Sequence, residues 1–209
     1  MRESWYERTI LPFMIDLGCG GKPIRRQRVK VVPRAHGRVL EVGVGSGLNA
    51  PYYDHARVSA VVGLDPSRAM RRRAEQRFAE AGLEVEFIGL SAEKIPQADA
   101  SFDSVLITFT LCTIPDPLAA LAEMRRVLKP GGRLIFCEHG RAPDAAVRRW
   151  QDRLTPLWRR IGGGCHLNRD IPALLSAGGF DCDDLQTMYL PGIRPLTYNF
   201  WGEARARQD

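Results

Sequence analysis

The chain has 209 residues, 44% of them hydrophobic and 26% charged, with a formal net charge of +6. That is enough chain for one buried core, and the composition excludes a disordered or fibrous protein. The five cysteines are scattered without a C-x-x-C pair, which indicates neither a zinc site nor a disulfide framework.

The first 37 residues precede the fold proper. "ERTILPFMIDLGCGG" is apolar, with Pro12 inside it and glycines after it, and predicts short helical pieces with Gly18 near a C-terminal end. Pro23 suits the start of a second helix, "PIRRQRVKVV", and Pro33 follows its end. Residues 1–37 are expected to form a helical cap over a pocket, with Leu11, Phe13, Met14 and Leu17 facing it. The competing role is contact with a membrane surface through an apolar face with basic neighbours. Pro12 counts against a long amphipathic helix. No secretory signal and no bilayer-spanning apolar run is seen. A cytoplasmic location, with peripheral membrane contact as its variant, is the expectation. The basic runs "KPIRRQRVK" and "SRAMRRRAEQR" read as solvated faces, and no nucleic-acid partner is expected.

From Arg38 the pattern alternates. "RVLEVG" predicts a buried strand, "GLNAPYYDH" a short helix, "RVSAVVGLD" a second strand, and "PSRAMRRRAEQRFAEAG" a helix stopped by Gly82. "LEVEFIGL" and "SFDSVLITFT" predict the third and fourth strands, "PLAALAEMRRVL" a helix, and "GRLIFCEHG" a fifth strand after the turn "KPGG". Strands alternating with helices argue a parallel sheet covered on both faces. Beyond His139 the rhythm changes. A helical insertion broken near Pro156, a helix in "RDIPALLSAGG" and two antiparallel final strands are expected. The whole reads as one α/β domain: residues 38–140 form a ligand-binding core and residues 141–209 supply substrate-side helices and the last strands.

The loop "VGVGSGLN" carries Gly43, Gly45 and Gly47 directly after the first strand. It departs from the dinucleotide pattern G-x-G-x-x-G, because the third glycine comes one residue early. No Gly-Lys-Ser/Thr follows, so the phosphate-cradling loop of nucleotide hydrolases is ruled out. Glu41 before the turn would repel a pyrophosphate and suits a ligand with a cationic group, as in S-adenosylmethionine (SAM). Asp65, about 20 positions on, can accept hydrogen bonds from ribose hydroxyls. It is equally a helix N-cap, with Pro66 at the first helical position.

The segments "VLEVGVGSG", "VVGLDPS", "SAEKIP", "SFDSVLITFTLCTI" and "EMRRVLKPGGRLIF" together resemble the class I SAM-dependent methyltransferases of the type 11 group, in the family's order, over residues 38–140. The resemblance implies a Rossmann-like, mostly parallel seven-stranded sheet with helices on both faces and the last strand antiparallel. It also implies SAM as cofactor, with S-adenosylhomocysteine as product. Carried over, Glu41, Gly43, Gly45 and Gly47 hold the methionine part and Asp65 the ribose. Pro66 and Met70 lie alongside, Ser91 and Ala92 flank the adenine, and Thr108 ends the fourth strand at the ligand. Ser91 stands where many relatives carry aspartate.

The segment "TFTLCTIPDP" should face the methyl group, so Leu111 and Cys112 are candidate acceptor contacts. It lacks the Asn/Asp-Pro-Pro-aromatic tetrad of enzymes that methylate nucleic-acid bases. "FCEHGRAPDAAVRRWQDRLTPLWRRIGGGCHLNRDI" resembles the corresponding part of the alkyl-thiol methyltransferases. His139 and His166 are the acid/base candidates, since imidazole titrates near neutral pH. Trp150 and Trp158 read as pocket wall or core, and Arg169 as a carboxylate or phosphate contact. No metal is expected. The expected activity is methyl transfer to a small acceptor, a thiol first. The alternatives are a phospholipid or quinone-precursor methyltransferase and a non-catalytic SAM-binding protein.

Overall fold

A computed structural model describes residues 5–207. Helices α1 (Trp5–Cys19) and α2 (Lys22–Val31) come first. Then follow β1 (Gly37–Val42), β2 (Val58–Leu64), α3 (Arg68–Glu80), β3 (Val85–Ile88), β4 (Phe102–Thr108), α4 (Pro117–Val127) and β5 (Leu128–His139). The chain closes with α5 (Ala145–Ile161), α6 (Ile171–Ala177), β6 (Phe180–Tyr189), α7 (Arg194–Thr197) and β7 (Tyr198–Ala206).

The seven strands form one sheet in the order β3-β2-β1-β4-β5-β7-β6. β3 to β5 pair parallel, and β7 runs antiparallel between β5 and β6. The order reverses between β1 and β4, which opens a crevice at their carboxyl ends, where open α/β sheets bind ligands. Alternate strand residues feed two cores. Leu40, Val42, Phe102 and Phe136 pack with Leu121 and Met124 of α4 on one face. Val39, Leu106 and Ile135 pack with Phe78 of α3 and Val31 of α2 on the other. Helix α3 buries Met70, Ala74 and Phe78, four residues apart, leaves Arg68 and Arg72 exposed, and half-buries Arg71, Arg73 and Arg77. Asp116 caps α4 by accepting from the Leu118 and Ala119 amides.

Three local expectations are corrected. The segment around Pro12 is one continuous helix, and so is the segment around Pro156. A proline inside a helix costs one backbone bond and clashes with the carbonyl four residues back. Here tertiary contacts hold both helices: Tyr6 Oη donates to the Ile161 carbonyl at the end of α5. The segment after the glycine loop is a single 3₁₀ turn, Ala50–Tyr52, instead of an α-helix.

Candidate active site

The glycine loop turns where only glycine fits. Gly43 and Gly47 have φ of +70° and +79°. A Cβ at Gly43 would collide with the Thr110 side chain, and one at Gly47 would lie 2.8 Å from Ala74 Cα. The loop therefore lies tight against both the turn after β4 and α3. Across from it, Phe109 also holds a positive φ, 55°, a rare state for a bulky side chain. Its amide is tied to the Cys137 carbonyl at 2.8 Å.

Loop and strand ends wall a cavity of about 120 Å³. Gly43, Gly45, Asp65, Met70 and Thr108 line it, together with Val44, Leu48, Phe109, Thr110 and Thr113. The N-terminal helices complete the wall with Ile15, Cys19 and Arg28. Asp65 accepts from the Gly45 amide at 3.0 Å and from the Ser67 amide at 2.8 Å, so it braces the loop and the start of α3 together. A larger open depression, about 920 Å³, lies at the opposite ends of β4 and β5. Its walls include Arg126, paired with Asp99, and Arg207, paired with Asp181, and it touches no part of the glycine loop.

Arg28 is the residue that sequence reasoning missed. It is 4% exposed, and Nη1 donates to Asn49 Oδ1 and to Thr108 Oγ1. Its guanidinium lies 5.5 Å from the Phe109 ring centre, and its Nε has no partner. A buried cation with an unpartnered N–H at a cavity wall is suited to an anion. Asn49 passes the connection on: its Nδ2 donates to Glu41 Oε1 at 2.8 Å, and Tyr53 Oη donates to Glu41 Oε2 at 2.6 Å. Both Glu41 oxygens are thus held by protein groups, and Glu41 does not line the cavity. Burial pushes its carboxyl up to about 7, against the pull of those hydrogen bonds and Arg28.

Other expected contacts fall elsewhere. Ser91 Oγ pairs with Glu93, and Ala92 is buried in the core. Neither these two nor Pro66 lines the cavity. Trp150 is 55% exposed. Leu111 packs in the core, and its carbonyl accepts from Arg169. Arg169 also donates to the Ile114 carbonyl at 2.7 Å, so it braces the loop after β4 through main-chain groups.

A second polar centre lies behind that loop. Cys165 Sγ is 3.2 Å from His139 Nε2, and Cys112 Sγ joins them so that all three atoms lie within 4.8 Å of one another. A hydrogen bond from Cys112 and the imidazole of His139 hold the Cys165 thiol well below its usual range. The Cys112 thiol is pushed up, as the donor to that sulfur. Burial opposes a charge on His139, but the facing sulfur outweighs it and raises its pKa. Trp158 packs against this group, and the His166 amide donates to the Cys112 carbonyl at 2.9 Å. The His166 ring faces the same carbonyl at 3.1 Å. Thr110 and Thr113 of the cavity wall bracket Cys112 in sequence. Glu138 Oε1 accepts from the Thr110 and Leu111 amides at 2.8 and 3.1 Å, while Oε2, fully buried, has no partner.

This sheet order, with a glycine turn and an acidic residue facing a cavity at the crevice, defines a SAM-dependent methyltransferase fold. The chain belongs to the SAM-dependent methyltransferase family, whose cofactor is SAM: residues 40–136 match the family described as "Methyltransferase domain". It is 39% identical over 136 residues to the thiol S-methyltransferase TMT1B of Rattus norvegicus, covering 63% of this chain and 55% of that protein. It is 40% identical over 132 residues to a phosphatidylethanolamine N-methyltransferase of Cereibacter sphaeroides, covering 61% and 64%. It is 32% identical over 170 residues to the human thiol S-methyltransferase TMT1A, covering 78% and 69%. The first two matches span between about half and two thirds of those relatives. A SAM-dependent methyltransferase structure from Thermotoga maritima superposes with a TM-score of 0.66 at 24% identity, over 97% of this chain and 98% of that one. At that identity the likeness speaks for the fold alone.

Proposed function

We propose that this methyltransferase acts on a small thiol. The observation that carries the reading is the Cys112–His139–Cys165 group, where two thiols and an imidazole meet at the loop whose Thr110 and Thr113 wall the cavity. A thiol, with a pKa near 8.5, needs little help to become the nucleophile. The similarity to thiol S-methyltransferases supports the same acceptor.

The residues fit the cofactor. Arg28, buried with an unpartnered Nε, would take the carboxylate of its methionine half. The glycine turn leaves room for its backbone, Asp65 would accept from the ribose, and Val44, Leu48 and Met70 supply apolar surface for the adenine. Glu41 would act indirectly by orienting Asn49 and, through it, Arg28. SAM, when bound, supplies a methyl group activated by a sulfonium. The protein would exclude water with α1 and hold the acceptor's sulfur facing the activated methyl group. On this reading residues 1–37 cap the site, residues 38–140 bind cofactor, and residues 141–209 serve the acceptor.

A lipid acceptor is the second reading. Trp5, Phe13 and Leu17 of α1 are exposed, as are Trp150 and Leu157 of α5, and α1 rests on the end of α5. Such a face beside basic residues suits an anionic membrane surface. The location would then be cytoplasmic with peripheral membrane contact. Among the described residues no helix is long and apolar enough to cross a membrane.

The deciding experiment measures S-adenosylhomocysteine formed with hydrogen sulfide and small alkyl thiols, with phosphatidylethanolamine vesicles, and with a quinone precursor. Thiol turnover is expected. Turnover confined to vesicles or to the quinone would replace the reading, and SAM binding without turnover on any acceptor would make the chain a SAM-binding protein only.

A further inference from the structure

The geometry points to Cys112, His139 and Cys165 as a three-ligand site for a soft divalent cation, zinc above all, with a fourth position left for a thiolate. Two thiols and an imidazole are the donor set that selects zinc over harder cations. In a tetrahedral site with Zn–S of about 2.3 Å and Zn–N of about 2.0–2.1 Å, the sulfurs lie about 3.8 Å apart and each about 3.6 Å from the nitrogen. The three donor atoms here sit within 4.8 Å of one another, and the Cys165–His139 pair, at 3.2 Å, needs to open by only a few tenths of an ångström.

The donors are also held in place. Cys112 sits on the loop after β4 that Glu138, Arg169 and the His166 amide fix through main-chain bonds. His139 ends β5, paired with Asn199 of β7. Cys165 follows α5, with its amide on the Gly162 carbonyl and its sulfur hydrogen-bonded by Trp158. Metal sites depend on such outer partners. Two thiolates and a neutral imidazole around a dication sum to zero charge, which suits a buried place. The cluster is not sealed, because His139 is only partly buried and Cys165 is 9% exposed, so an ion can enter.

Among the described residues no fourth histidine, cysteine or carboxylate joins the group. Three protein ligands and one exchangeable position is the pattern of reactive rather than structural zinc. A thiol binding there would release its proton and enter as thiolate, with no oxidant needed. This open position rests on the thiol reading above; the metal site does not. With its Nε2 on the ion, His139 serves as a ligand and not as a proton acceptor.

The test uses reduced, metal-free full chain titrated with cobalt(II). One equivalent should bind, with a thiolate-to-cobalt charge-transfer band and strong tetrahedral ligand-field bands, and zinc should displace it. Cys112→Ser and Cys165→Ser should each weaken cobalt binding at least tenfold, while Cys182→Ser, on β6, should not. Melting curves identify any variant that fails to fold, and for such a variant His139→Gln is the substitute. No band, or an equal band in the folded cysteine and histidine variants, overturns the site. Protection of Cys112 and Cys165 as a disulfide, without metal uptake, overturns it also. Adding a small alkyl thiol should intensify and shift the charge-transfer band, and an unchanged band overturns the open position. Thiol turnover by protein that binds no metal would sink the metal site and leave the thiol reading standing. A cobalt band in protein that turns over no thiol would do the reverse.

Discussion

Single residues divide into those whose role is local and those whose role is assembled. Asp65 and the glycines belong to the first kind. A positive φ favours glycine, and Asp65 acts on the Ser67 amide two residues on, so both are legible in one short stretch. The N-cap expectation is corrected, because Ser67 and not Asp65 caps α3, which starts at Arg68 and not at Pro66. Arg28 belongs to the second kind. Its partners Asn49 and Thr108 are 21 and 80 residues away, and in the sequence it stands inside a basic run that reads as solvated. Arg28→Ala and Asp65→Ala should each weaken SAM binding by about tenfold or more, since a hydrogen bond to a charged group is worth roughly 1.5–3 kcal/mol; calorimetry on folded variants checks both. Glu41 gives a pH prediction. Its carboxyl is raised to about 7 by burial against an unfolded value near 4.5, so the folded chain keeps a proton that the unfolded chain loses. The stability this contributes is complete below about 4.5 and is lost as pH rises through about 7. Glu41→Gln should therefore gain on the wild type as pH rises from 5 to 8, by a few degrees of melting midpoint, because about 1 kcal/mol moves a chain of this size by about 2–4 °C. Parallel melting curves across that range would show it, and a constant difference would contradict it.

At the scale of elements, the strands and the helices α3, α4 and α6 were legible because each announces itself by periodicity and a cap. The misread segments are those where long-range contacts outvote local signals, at Pro12 and Pro156. The α1 residues at the cavity are not the ones expected. Ile15 and Cys19 line the cavity, while Phe13, Met14 and Leu17 point outward. Val31, Val32 and Ala35 are fully buried in the sheet's second core, so a truncation through residue 36 would cost on the order of several kcal/mol and confound any test. Deleting residues 1–20 removes α1 and spares that core. This variant should melt within a few degrees of the intact chain and lose most turnover on any acceptor; full turnover would dismiss α1 as a cover.

For the whole molecule, the sheet order places every cavity residue at one end of the sheet, while the cysteine–histidine group lies across the β4 and β5 ends next to it. Residues 112, 139 and 165 share no spacing motif, which is why a search for C-x-x-C pairs passes over them; only the crossing of β4, β5 and the α5–α6 loop brings them together. The exposed apolar residues of α1 and α5 give a prediction at this scale. Vesicles containing anionic lipid should co-sediment the chain, and Phe13→Ser with Leu17→Ser should reduce the bound fraction several-fold without changing turnover of soluble thiols. Equal binding by the double variant would remove that face as the contact.

Asp16 ties α1 to the glycine loop and to α3. This one α1 carboxylate bonds Ser46 on the glycine loop and pairs with Arg73 at 2.7 Å and Arg77 at 3.2 Å on α3. Burial works against its charge, yet those partners hold it below the usual carboxylate range. A cavity of about 120 Å³ is smaller than the roughly 300–1,000 Å³ of ordinary ligand pockets, and α1 forms part of its wall, so we expect α1 to shift when a cofactor enters. Asp16 is then a latch made of charge, and cofactor residence time becomes a function of ionic strength. Raising salt screens the latch, shortening dwell time and hastening product escape, while a ligand already inside is held by contacts that salt reaches far less.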